Sequence, residues 1–170
     1  IGECALFGGM IYGLVAPGYR MAEVAVQQFS DAEEKPSFQG ADMSTKLKLL
    51  GVDVGSIGDA HGKADGAISY VFSDEKEEVY KRIIVSADGK YLLGAVLVGD
   101  CSDYDTLLQY FLNEIELPKN PESMILPSID GAGTPALGAS ALPMTATICS
   151  CHNVSKGDIV NAIDAGCCSL

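Results

Sequence analysis

The stretch Ile83-Ile84-Val85-Ser86-Ala87-Asp88-Gly89-Lys90-Tyr91-Leu92-Leu93-Gly94-Ala95-Val96-Leu97-Val98 decides the fold. Residues Tyr91 to Val98 are almost wholly apolar, as strands covered on both faces are, so they read as a central strand. Asp88-Gly89 lies between two apolar runs and is the dipeptide a type I′ hairpin turn prefers, because both of its central residues need positive φ. Working outward, Glu78 to Val85 and Ala67 to Phe72 are rich in Ile, Val, Tyr and Phe, and Lys46 to Val54 alternates in part. The run Asp74-Glu75-Lys76-Glu77-Glu78 reads as a charged turn between two of these strands. Beyond them, Tyr104, Leu107, Leu108, Phe111, Leu112 and Ile115 recur at helical spacing, which predicts a helix over 103–116 with Ser102-x-x-Asp105 as a capping box. Residues 41–117 therefore read as a small antiparallel sheet closed by one helix, an α+β fold.

The flanks are different in kind. A helix is expected over 17–31, with Pro17 at its first position and Met21, Ala22, Val24, Ala25, Val26 and Phe29 on its apolar stripe. Gly8-Gly9 ahead of it reads as a close backbone turn, and Cys4 as a buried small hydrophobe. Five of the seven prolines, Pro118, Pro121, Pro127, Pro135 and Pro143, fall within 118–143. Each removes a donor and fixes its own φ, so 118–146 reads as a linker with extended stretches that Ile125, Leu126 and Leu137 pin to a neighbouring surface. A last helix starts at Ser155, where Ser155-x-x-Asp158 is a capping signature; Ile159, Ala162 and Ile163 form its apolar face and Gly166 ends it.

The chain has 170 residues, with 11 Lys and Arg against 23 Asp and Glu, a net charge of −12. Such a field repels phosphate backbones and anionic membrane surfaces, so neither nucleic acid nor a membrane is an expected partner. Ala5 to Tyr19, the longest uncharged apolar stretch, is too short to span a bilayer. Six cysteines are too sparse and too unevenly placed for a disulfide-stapled secreted domain, and no leader-like N-terminus is present, so the expected location is the cytoplasm. A start at Ile1 rather than Met reads as a fragment or a processed chain.

Cys149-Ser150-Cys151 is the sharpest local feature. Two thiolates one residue apart can face a shared space and hold a soft metal or an iron–sulfur cluster; equally, they can be two reduced cysteines before a helix. The helix beginning at Ser155 is expected to offer free N–H groups and its positive end to a negatively charged cluster. Four ligands are needed, and adjacent Cys167 and Cys168 lie at the far end of that helix, so Cys167 reads as packed and Cys168 as incidental. His152 and His61 read as solvated, and no Ser-His-Asp elbow, P-loop or complete G-x-G-x-x-G is present.

Three stretches in order resemble the large subunit of the cytoplasmic NAD(P)H-dependent nitrite reductases, which reduce nitrite to ammonium. Gly2-Glu3-Cys4-Ala5 with Tyr12-Gly13-Leu14-Val15-Ala16-Pro17-Gly18-Tyr19 resembles the end of that family's FAD-binding domain. Lys46 to Val54, Gly58-Asp59-Ala60-His61 and Leu92 to Asp100 resemble its small α+β domain. Ile148-Cys149-Ser150-Cys151 with Val154-Ser155-Lys156-Gly157-Asp158 and Ala165-Gly166-Cys167 resembles the opening of its bacterioferritin-associated-ferredoxin-like [2Fe-2S] domain. The resemblance implies four segments: 1–40 from the FAD domain, 41–117 the α+β domain, 118–146 a linker, and 147–170 the start of the cluster domain.

It further implies that Gly2 and Glu3 touch the flavin and that Cys149 and Cys151 ligate the [2Fe-2S] cluster. The second cysteine pair, and the sirohaem and [4Fe-4S] centre, would lie beyond Leu170. No catalytic residue falls in the chain, which alone is expected to be inactive and cofactor-free. Its implied partners are the rest of the large subunit, a small subunit and a second copy in a homodimer. Two alternatives stay open: a non-enzymatic dimerisation or docking module, and the C-terminal part of a related FAD-dependent rubredoxin or ferredoxin reductase.

Overall fold

The computed structural model describes residues 1–31, 35–127, 138–149 and 154–167, in two compact units, Ile1–Met43 and Ser44–Leu170. In the first, β1 (Leu6–Phe7) and β2 (Met10–Ile11) pair around Gly8-Gly9, as the glycine pair predicts. Helix α1 (Val15–Gln28) follows, with Pro17 and Met21 buried. It begins two residues before Pro17, which the helix tolerates because none of its first four N–H groups has an intrahelical partner. It ends three residues before Asp31, leaving Phe29 at its C-cap and 90% exposed, off the expected stripe. Phe38 meets the rings of Phe7 and Tyr12 edge-on, at 5.1 and 5.4 Å between centroids. Cys4 is exposed, not buried, because it lies in the turn closed by the Ala5 N–H on Gly2 O.

The second unit is built on five antiparallel strands, β3 (Thr45–Leu49), β4 (Val52–Gly58), β5 (Ile68–Asp74), β6 (Val79–Val85) and β7 (Leu92–Val98). Their order is β3-β4-β7-β6-β5, so the apolar run Leu92–Val98 is the central strand, as expected. The stretch Lys46 to Val54 is not one strand but two, joined by Leu50-Gly51 at φ +50° and +90°. That two-residue turn with both φ positive is the geometry expected at Asp88-Gly89. There only Gly89 has positive φ; the link is a longer loop, with Ser86 N–H bonded to Tyr91 O and Gly89 N–H to Ser86 O. Asp88 instead accepts from the Lys90 N–H, a bond its side chain makes without entering the left-handed region.

Helix α2 (Tyr104–Leu112) lies on one face of the sheet. Ile57, Ile83, Val85, Ala95 and Leu97 are fully buried beneath it with Tyr104 and Leu107. Gly55 makes the close approach possible, since a Cβ there would stand 2.7 Å from the Tyr104 ring. The segment after α2 is less of a free linker than its prolines suggest. A 3₁₀ turn, Pro121–Met124, inserts Met124 and Ile125 into the same core, each 1% exposed, which bears out the pinning role of Ile125. Leu126 is 47% exposed, and Leu137 lies outside the described residues. After a second 3₁₀ turn (Ala139–Ala141), β8 (Thr147–Cys149) and β9 (Val154–Ser155) pair antiparallel ahead of α3 (Lys156–Asp164).

Candidate functional site

Helix α2 is fixed at its start by a buried cation. Lys81, which precedes Arg82 in β6 and is 5% exposed, places its Nζ 2.6 Å from both Asp100 Oδ2 and Asp103 Oδ2. Burial alone would lower the Lys81 pKa, but the two carboxylates outweigh it and raise it. Burial likewise pushes the Asp100 carboxyl up, yet hydrogen bonds from Lys81 and Ser102 hold it down at about 2. Asp103 is therefore the N-cap of α2, with no side-chain capping bond, and Ser102 stays outside the helix, its N–H on Asp100 Oδ1. The capping box expected from Ser102-x-x-Asp105 does not form: the N-cap falls on Asp103, whose carboxylate pairs with Lys81, and Asp105 faces Lys46 at 3.6 Å. A cavity of about 210 Å³ beside the cluster is lined by Phe72, Glu77, Lys81, Asp100 and Ile125 among others.

The helix ends at Asn113, short of the expected Glu116. Glu114 has φ +48°, and Ile115 N–H bonds to Tyr110 O while Glu114 N–H bonds to Phe111 O. This is a Schellman ending with glutamate where glycine is usual, so nothing in the residue types flagged it.

Cys149 is half-buried at the end of β8. Its strand is held to α2 by side-chain amides: the Thr147 N–H donates to Asn113 Oδ1 at 3.3 Å, and Gln109 Nε2 donates to Thr147 O at 3.3 Å. Asn113 Nδ2 donates to Gln109 Oε1 at 3.0 Å and closes the ring. Reading the helix by its apolar stripe missed both amides. Their only signal is Gln and Asn four apart on the polar face, a spacing at which side chains meet.

The Ser155–Asp158 capping box forms in full, with Asp158 N–H on Ser155 Oγ at 3.1 Å and Ser155 N–H on Asp158 Oδ2 at 2.8 Å. The bond from Ser155 holds the Asp158 carboxyl below its ordinary pKa. The first-turn amides of α3 are not free, contrary to expectation. Lys156 N–H bonds to Ala146 O at 2.8 Å and Gly157 N–H to Met144 O at 2.7 Å, because the loop before β8 folds back over the helix start. At the other end Gly166, φ +94°, terminates α3 as predicted, with Cys167 N–H on Ala162 O. Cys167 is exposed rather than packed.

Cys151, His152 and Cys168 lie outside the described residues. Among the described residues no group of three or more His, Cys, Asp or Glu is placed to hold a metal ion. His61 is exposed, as expected of a loop histidine. Gly2 has φ +91° with open space where a Cβ would stand, and Glu3 is exposed. No helix among the described residues is long and apolar enough to cross a membrane.

A five-stranded antiparallel sheet under one helix, with a cysteine-bearing strand tied to that helix, is the form of an accessory α+β domain running into a thiol segment. Residues 44–115 match the rubredoxin NAD+ reductase C-terminal domain family. The chain is 60% identical over 167 residues to the nitrite reductase (NADH) large subunit of Escherichia coli (strain K12), covering 98% of this chain and 20% of that protein. It is 36% identical over 195 residues to a nitrite reductase [NAD(P)H] of Emericella nidulans, 99% of this chain and 17% of that protein. It is also 32% identical over 163 residues to the assimilatory nitrate reductase electron transfer subunit of Bacillus subtilis (strain 168), 96% of this chain and 20% of that protein. Nearly the whole chain thus matches one region of nitrite reductase large subunits, and it spans about a fifth of the length of the curated relatives it matches.

Proposed function

We propose that these residues are the part of an NAD(P)H-dependent nitrite reductase large subunit that joins its flavin module to an iron–sulfur relay. The observation that carries this reading is the 60% identity over 98% of the chain, which runs past the sheet domain through the cysteine segment. One relative that this region matches is named an electron transfer subunit, which supports an electron-carrying role for it. The FAD, NAD(P)H, [2Fe-2S], sirohaem and [4Fe-4S] groups then belong to the longer cytoplasmic subunit, which pairs with a second copy and with a small subunit.

The donors fit a [2Fe-2S] cluster in kind: Cys149 is a half-buried thiol, Cys151 follows two residues later, and thiolates are the ligands such clusters take. They are two of four, so they form a half-site that a second cysteine pair completes. When bound, the cluster passes single electrons. Cys149 and Cys151 hold it, α2 fixes the strand that carries Cys149, and the sheet gives α2 a rigid base. Gly2, with open space where a Cβ would stand, and the exposed Glu3 would be the residues that touch the flavin. A rubredoxin-reductase-like reading draws on the family match over 44–115 but leaves the matched cysteine segment without a role.

The test is the visible spectrum, after anaerobic iron and sulfide reconstitution, of the chain lengthened through the cluster domain of its relatives. Broad cluster bands that vanish in Cys149→Ser and Cys151→Ser are the expected result. A colourless protein, or one that takes up only zinc, overturns the relay.

A further inference from the structure

We propose that Gln109 and Asn113 are positioning residues for the Cys149 thiol: their side-chain amides close a hydrogen-bonded ring with the Thr147 peptide and hold the cysteine strand at a fixed place on α2. The proposal rests on the reading of Cys149 as a cluster ligand.

Strand β8 pairs with β9 on one side only, and the outward N–H and C=O of Thr147 are the polar groups of a sheet edge. A neighbouring strand would satisfy them with its own N–H and C=O. Here Asn113 Oδ1 takes the N–H and Gln109 Nε2 supplies the donor to the C=O, each at 3.3 Å, so the pair imitates a strand's peptide. The bond from Asn113 Nδ2 to Gln109 Oε1 at 3.0 Å orients both amides, since turning either by 180° would set donor against donor or acceptor against acceptor. Asn113 Nδ2 also reaches Gln109 O at 3.1 Å, which ties its side chain to the helix end. Each member of the ring donates once and accepts once within it, an arrangement in which the bonds polarise one another.

Cys149 is two residues beyond the clamped peptide, within one strand. In the other direction the clamp is set by the helix register. Leu107 is fully buried against the sheet two residues before Gln109, and the Schellman ending at Glu114 fixes Asn113. The start of α2 is held in turn by Lys81 through Asp103. A continuous series of packed and bonded groups therefore runs from the central sheet to the thiol. The helix α3 supplies no substitute on that side, because its first-turn amides are already bonded to Ala146, Met144 and Ser155.

The test uses the full-length subunit with its cluster loaded, comparing wild type with the Gln109→Ala/Asn113→Ala double variant. The variant is expected to fold with the wild-type spectrum of its sheet domain. Amide hydrogen exchange over 145–149 should rise at least about tenfold, and the reduced cluster's EPR g values and its reduction potential should shift. Unchanged exchange together with an unchanged EPR signal and potential overturns the clamp while leaving the cluster reading in place. A wild-type subunit that loads no cluster overturns the reading beneath it, and the clamp with it. Should the double variant fail to fold, Asn113→Asp gives the same decision: a carboxylate still accepts from the Thr147 N–H but repels Gln109 Oε1 instead of donating to it. Faster exchange and a changed EPR signal in Asn113→Asp support the ring, and wild-type behaviour in both overturns it.

Discussion

The sheet with α2 and the cysteine segment that follows are held together by different forces. Beneath α2, Ile57, Ile83, Val85, Ala95, Leu97 and Leu107 are each 0% exposed. In α3 no residue is buried, and Ile159 and Ile163 are 40% and 58% exposed. Between β8 and the end of α3 the described bonds are polar and few: the capping box and the carbonyls of Met144 and Ala146 nearby, and the amides of α2 from farther along the chain. Apolar burial scales with area and fixes the sheet as one cooperative body, whereas polar bonds of this kind contribute only about 1 kcal/mol each and act on single positions. The molecule therefore sets a rigid platform beside a segment whose geometry is specified bond by bond.

The largest difference between the two should appear when the same kind of cut is made in each. Leu107→Ala leaves a cavity in the core and should lower stability by about 3 kcal/mol in urea unfolding. Ile163→Ala should change it by less than about 0.5 kcal/mol. Equal losses would show that α3 has a core of its own, and the contrast drawn above would fall.

The ion cluster at the start of α2 sharpens the comparison through pH. Asp100 titrates at about 2 in the folded chain, against an ordinary 3.8. A folded value below the unfolded one stabilises fully above about pH 4, and that contribution is lost as pH falls toward 2. For Lys81 the sign reverses: its raised pKa stabilises at neutral pH, and the gain is lost only as the solution passes its folded value, above 10.5. Asp100→Asn should thus unfold in less urea than wild type at pH 6, the gap closing on descent to pH 2. A gap that stays constant over this range would show that Asp100 acts by packing and not by charge.

Legibility follows the same division. The central strand and the helix above it could be read because burial writes itself as apolar runs and stripes, and Leu92–Val98 and Leu107 fell where those patterns put them. The capping box of α3 formed where Ser155-x-x-Asp158 put it, while the same pattern at Ser102-x-x-Asp105 did not, so the spacing alone does not decide the cap. Hidden were features whose residue types carry no positional signal: a strand lysine that turns out to be buried, left-handed turns at Leu50 and Glu114, and a glutamine and asparagine that would pass for a solvated face. The Cys149-x-Cys151 pair was visible as a motif, while the clamp that fixes its strand depends on Thr147, 34 residues beyond Asn113. No local pattern spans that distance.

Within the segment itself, Ser155→Ala removes the hydroxyl that accepts the Asp158 N–H and should cost about 1 kcal/mol. Because the bond is local, the loss should appear as roughly fivefold faster amide exchange in 156–164, by the relation of about 1.4 kcal/mol per tenfold. Residues 79–98 should exchange as before. Acceleration in both places would mean that the cap and the sheet unfold together, and the picture of a segment specified bond by bond would not hold.

The smallest effect is expected within the platform, at a position that local chemistry does not favour. Leu50 is 97% exposed and sits at φ +50°, a region that side chains with a Cβ enter at a cost. Asparagine enters it more readily, and Asn-Gly is the dipeptide such turns prefer, so Leu50→Asn should raise stability by about 0.5 kcal/mol. Since Leu50 contributes almost no burial, nothing offsets the gain, and the urea midpoint should move up with an unchanged slope. A fall in the midpoint would show that Leu50 is covered in solution, and the β3–β4 end of the sheet would then belong among the surfaces held by apolar contact.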